Sequence, residues 1–152
     1  MGRMDLSLRR ATRNDVPAVI ALLADDEIGA TRETPDDGEP YDASFAAIDA
    51  DPNQFLVVGE QDGRIVATMQ LTFIPGLSRR GIWRAQIEGV RVSTEMRGGG
   101  VGEQLIRWAI DRARERDCAL VQLTSDTRRA EAHRFYERLG FVASHTGFKL
   151  AL

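Results

Sequence analysis

Residues 87–109 read I-E-G-V-R-V-S-T-E-M-R-G-G-G-V-G-E-Q-L-I-R-W-A. A β-branched run over 87–92 gives way to a polar turn over 93–96. Arg97, Gly98, Gly99, Gly100, Val101 and Gly102 follow, and then an apolar stripe at helical spacing: Val101, Leu105, Ile106, Ala109, Ile110, Ala113. This is the pattern of a strand, a glycine-rich loop and a helix N-terminus. Such a junction presents unpaired N–H groups and the positive end of a helix dipole, which suits phosphate. Glycines let the backbone approach a ligand with no Cβ in the way. Arg97 adds a forked, permanently charged donor.

The spacing narrows the ligand. A dinucleotide fingerprint starting at Gly98 or Gly100 puts its third glycine on Glu103 or Leu105, and fails. A phosphate-binding loop of the G-x-x-x-x-G-K-[ST] type needs a lysine that the stretch lacks. What remains is R-x-x-G-x-G, carried by Arg97, Gly100 and Gly102. A second block, A-H-R-F-Y-E-R-L-G-F, occupies 132–141, and the opening R-R-A-T-R-N-D-V-P-A-V-I-A-L-L spans 9–23.

On these three blocks the chain resembles the GNAT superfamily of acyl-CoA-dependent N-acetyltransferases. The resemblance implies a three-layer α/β fold of GNAT type, with a mixed central β-sheet and helices on both faces, as a single domain over 1–152. It implies acetyl-CoA as co-substrate, its pyrophosphate cradled by Arg97, Gly98, Gly99, Gly100, Val101 and Gly102. It also implies a strand that splays from its neighbour beside the pantetheine, here Val90, Arg91 and Val92. The Val92 N–H becomes the candidate oxyanion donor. From the late helix it takes Phe135 and Tyr136, with Tyr136 near the coenzyme sulfur. Arg129 stands where the family often carries Asn, and an arginine there meets a phosphate instead.

Other residues carry two readings each. Gly89 inside a strand marks either a bulge or tight packing. Glu88 reads as a carboxylate within a buried strand, which needs a partner or a purpose. It is either the general base that removes the amine proton, directly or through water, or half of an ion pair with Arg91 or Arg84. Tyr136 falls on an i, i+3, i+4, i+7 stripe with Ala132, Phe135 and Leu139, which by periodicity alone is a core face. The resemblance makes it the general acid for the departing thiolate, phenol and thiol having neighbouring acidities.

Composition bounds the rest. At 152 residues, 43% hydrophobic and 28% charged, the chain suits one soluble domain. No apolar run is long enough to span a membrane, and the opening M-G-R-M-D-L carries no secretory or myristoylation signal. A lone cysteine, Cys118, suits a reducing, cytoplasmic setting. Two histidines and one cysteine offer no metal cluster. The net charge of −3 does not favour nucleic acid. Residues 97–152 hold 10 basic and 7 acidic side chains against 10 and 16 over 1–96, a mild basic bias around the proposed phosphate site.

The acceptor is expected to be an amine of a small molecule or peptide, lined by 27–45 and 75–84. The first stretch is acidic and the second holds Arg79, Arg80 and Arg84, so the two point to different substrates. Homodimers are common in the family. A non-catalytic acyl-CoA-binding sensor or partner module is the competing reading. Elements expected around these sites are strands at 6–10, 55–59, 64–73, 86–92 and 119–124, with closing strands at 141–143 and 147–152. Helices are expected from Val16, over 42–50, over 101–116 and over 130–139, the last ended by Gly140 at C′.

Overall fold

The structure is a computed structural model that describes residues 6–152; the leader-type signals weighed above lie partly outside them. The chain forms two compact units, one ending at Gln122 and one over Leu123–Leu152.

In the first unit, β1 (Ser7–Arg10), β2 (Gln54–Gln61), β3 (Arg64–Pro75), β4 (Trp83–Val92) and β5 (Cys118–Leu123) make one sheet in that order. The first four strands pair antiparallel. β5 follows β4 through the crossover helix α4 (Val101–Glu115), the connection that parallel neighbours need, so the sheet is mixed. β2 and β3 meet through Asp62 and Gly63 with φ of 50° and 76°, the two-residue turn that Asp-Gly favours.

Helices cover both faces, as expected. Phe55 and Leu56 are successive residues of β2 and point opposite ways. Phe55 stacks edge-on against Trp108 of α4, with ring centroids 5.2 Å apart. Leu56 packs instead on the clusters of α1 (Val16–Ala24) and α2 (Glu39–Ala50), among Val16, Val19, Ile20 and Phe45. Cross-strand partners share a face, so Leu71 and Ile87 join Phe55 under α4. On α4 the stripe Val101, Leu105, Ile106, Ala109 and Ala113 is buried.

Three expectations need correction. The second helix begins at Glu39, because Pro40 is tolerated in a first turn where its missing N–H has no partner to lose. The stretch 75–84, where no helix is expected, holds a single turn, α3 (Ser78–Gly81), with Arg79 and Arg80 at φ of 54° and 66°. Residues 141–152 form no strands: Phe148, Leu150 and Leu152 alternate as a strand would but stand exposed. Alternation supplies a face, whereas a strand's hydrogen bonds must come from a neighbour.

The second unit is built on α5 (Ala130–Arg138). Its end is a Schellman cap: the Phe141 N–H donates to the Tyr136 carbonyl at 3.1 Å and the Gly140 N–H to that of Glu137 at 3.0 Å. Gly140, at φ 100°, is the expected C′ glycine. The apolar contact of such caps is present as Tyr136 against Phe141, ring centroids 5.8 Å apart.

Candidate active site

β4 is regular up to Glu88. There the register with β3 slips: Gln70 faces Glu88, and Thr68 faces Arg91, so Gly89 and Val90 together oppose Met69. This is a bulge, and Gly89 has the φ of +61° that makes it possible. A Cβ there meets only Leu23 Cδ2 at 3.6 Å, so the backbone angle, not crowding, calls for glycine. The bulge resets the alternation of faces. Glu88 and Arg91, three apart in sequence, both lie on the α1/α2 face, because their partners Gln70 and Thr68 are two apart.

The Ser93 N–H donates to the Val66 carbonyl at 2.8 Å. By antiparallel alternation the neighbouring Val92 N–H points away from β3, toward the opposite edge of β4. Arg91 does not pair with Glu88. Its Nε lies 3.4 Å from Asp26 Oδ2 and its NH1 donates to the Val90 carbonyl at 2.8 Å, so its side chain ties the segment after α1 to β4. Asp26 also accepts from the Gly29 N–H, which closes that segment on itself.

Glu88 departs from expectation in one respect: it is exposed. The reason is in its own strand, where Arg84, Gln86 and Glu88 alternate with buried Ala85 and Ile87. The α1/α2 face turns polar past the helices, with Gln54, Gln70, Thr72 and Gln86 beside Glu88. Gln86 Nε2 donates to Glu88 Oε1 at 2.6 Å. Gln86 and Gln122 were not foreseen as site residues, although the Gln70/Thr72 and Arg84/Gln86/Glu88 alternation was a signal for a polar half-face.

A 3-10 turn, Thr94–Met96, leads from β4 into the glycine loop. Gly98 and Gly100 have φ of 82° and 83°, and Gly100 is the N-cap of α4. No side chain caps this helix. Its hydrogen-bond ladder starts with the Gln104 N–H on the Gly100 carbonyl at 3.1 Å, ahead of which the N–H groups of Val101, Gly102 and Glu103 have no intrahelical acceptor. Arg97 and the three glycines after it are exposed. An uncapped helix start behind an open glycine loop fits a pyrophosphate.

In the second unit, Arg129 is the N-cap of α5, and Phe135 and Tyr136 stand half-buried, ring centroids 5.2 Å apart. His133 Nε2 lies 2.9 Å from the Asp126 carbonyl, consistent with a helix-start role. Back in the first unit, burial pushes the Cys118 thiol up, the wrong direction for a nucleophile. Tyr41 donates to Glu33 Oε1 at 3.0 Å and accepts from the Thr34 N–H at 2.9 Å, bracing the acidic loop. No helix among the described residues is long and apolar enough to cross a membrane.

Comparison with known proteins agrees with this geometry. The Acetyltransferase (GNAT) family model matches residues 18–141. An aminoalkylphosphonate N-acetyltransferase of Salmonella typhimurium is 32% identical over 145 residues, covering 95% of this chain and 90% of that protein. A transcriptional regulator from Bacillus halodurans C-125 superposes with a TM-score of 0.93 at 45% identity, over 97% of this chain and 100% of the other. A putative acetyltransferase from Agrobacterium tumefaciens C58 does so at 0.85 and 32%, over 96% and 99%. With its fold, its glycine loop and these relatives in agreement, the chain belongs to the GNAT family of acetyltransferases.

Proposed function

We propose that 1–152 is a single acetyltransferase domain that moves an acetyl group from acetyl-CoA directly to the primary amine of a small molecule. The observation that carries this is the start of α4 behind Arg97 and its glycines, where no side chain caps the helix and the first N–H groups have no intrahelical acceptor, an arrangement that suits an anion. The coenzyme supplies an activated acyl group and a thiolate leaving group. In this reading the N–H groups at the start of α4 and the Arg97 side chain hold its pyrophosphate, the glycines of 98–102 letting it approach, with Arg129 on a further phosphate and Phe135 along its length. Val90 and Arg91 contribute backbone to the pantetheine. The Val92 N–H donates to the acyl oxygen as charge builds there. Glu88 takes the proton that the acceptor's amine must lose, directly or through water, so that its neutral nitrogen can attack the acyl carbon. Tyr136 returns a proton to the sulfur.

The acceptor in this reading carries an acidic group beside its amine. The aminoalkylphosphonate relative supports that, as do Arg79 and Arg80, exposed on α3, and Arg84 opening β4. The test is thiol release from acetyl-CoA with aminoalkylphosphonates, amino acids and polyamines. Release is expected with the phosphonates and not the polyamines. Glu88→Gln and Tyr136→Phe should each lower kcat by roughly 100-fold with coenzyme binding retained. Release that survives in either variant removes that residue from the chemistry. A second reading, an acyl-CoA-responsive regulator, draws on the similarity to the Bacillus halodurans regulator. Coenzyme binding without turnover on any acceptor would favour it.

A further inference from the structure

Glu88 is held by a directed chain of amides. Gln122 Nε2 on β5 donates to Gln86 Oε1 at 2.9 Å, and Gln86 Nε2 donates to Glu88 Oε1 at 2.6 Å. A carboxylate only accepts, so the Gln86 nitrogen must face Glu88 and its oxygen must face Gln122. Gln122 in turn must present its nitrogen. Each amide dipole thus points the same way, and the chain ends on the negative group, where aligned hydrogen bonds reinforce one another. Glu88 Oε1 is engaged, while Oε2 has no protein partner among the described residues and is open to solvent. Nearby Gln70, which faces Glu88 in register, is turned elsewhere: its Nε2 donates to Gln54 Oε1 at 2.9 Å, which also accepts from Thr72 Oγ1 at 3.0 Å.

We infer that Gln122, acting through Gln86, is a positioning residue that fixes the Glu88 carboxylate with one oxygen bound and the other free to accept a proton. This rests on the reading of Glu88 as general base. It links β5 to the base on β4 at the side of the sheet toward which the Val92 N–H points.

The test has two arms. In 15N–1H spectra of the side-chain amides, Glu88→Gln should shift the signals of both Gln86 and Gln122. A Gln122 signal that stays in place overturns the relay, whatever the activity. In the kinetic arm, Gln122→Met keeps the volume but removes the donor, and Gln122→Glu keeps the shape but offers only acceptors. Both should lower kcat about fivefold, the value of one hydrogen bond, with the KM for acetyl-CoA and the melting temperature unchanged. In the Glu88→Gln background Gln122→Met should have no further effect. An equal loss in both backgrounds, or none in the first, overturns the inference. A wild type that releases no thiol with any acceptor sinks the acetyltransferase reading instead, and the amide spectra still decide the relay.

Discussion

Two junctions in the first unit solve the same problem in opposite ways. β1 leads through a 3-10 turn, Arg13–Asp15, into α1, and β4 leads through Thr94–Met96 toward α4. In both, the turn closes on the residue before it: the Asp15 N–H reaches the Thr12 carbonyl, and the Met96 N–H reaches that of Ser93, each at 2.9 Å. At the first junction side chains brace the turn from within, although none caps α1. Asp15 accepts from the Thr12 N–H at 2.7 Å and takes both arms of the Arg9 guanidinium at 2.7 and 3.0 Å, and it is buried. At the second, Arg97 and three glycines intervene, no side chain caps the helix, and the loop is exposed. A junction satisfied from within is architecture. A junction left open, at the same stage of the fold, is the one that the proposed coenzyme reading uses.

The contrast can be broken most severely at Gly100. Gly100→Asp puts a Cβ at a φ of 83° and a negative charge where the anion should sit. Roughly 3 kcal/mol of lost charged hydrogen bonding predicts a KM for acetyl-CoA about 100-fold higher. A KM within a factor of three of wild type would mean that the open junction is not the coenzyme site.

The closed junction should answer in stability, not in binding. Hydrogen bonds from Arg9 hold the Asp15 carboxyl at about 2, against an ordinary value of 3.8. The folded value is the lower one, so the stabilisation is complete above pH ~4 and fades as pH falls through about 2. Asp15→Asn should therefore cost about 2 kcal/mol at neutral pH, about 30-fold in the folding equilibrium. Its denaturation curve should converge with that of wild type near pH 2, and the KM for acetyl-CoA should stay unchanged. A gap that persists undiminished in acid would assign the loss to packing.

The mildest change is Arg97→Gln. Loss of one exposed charged donor predicts a KM for acetyl-CoA about tenfold higher at low salt, narrowing as ionic strength rises. A difference indifferent to salt would place Arg97 in the loop's conformation and not against phosphate.

Legibility in the sequence followed how local each signal was. Asp62-Gly63, Gly140 and the run from Arg97 to Gly102 act through their own backbone, and each does what its residue type requires. Of the two readings of Gly89 the structure has the bulge, glycine supplying the positive φ that it requires. Glu88, expected within a buried strand, is exposed because a strand's burial is decided by what lies over it, and α1 and α2 stop short of the polar half of their face. The exposed tail failed for the same reason, its alternation finding no paired neighbour.

By itself, then, the sequence determined the strand–loop–helix that opens α4, the cap of α5, the hairpin turn and the family, because backbone angles and short spacings are properties of residues and near neighbours. Only the tertiary structure decided that Glu88 and Arg91 share a face and that Arg91 answers to Asp26. It alone revealed that Gln122, 34 positions beyond Glu88 in the chain, reaches the carboxylate through Gln86. Those relations depend on register and on the crossover through α4, which bring together residues that no local pattern connects.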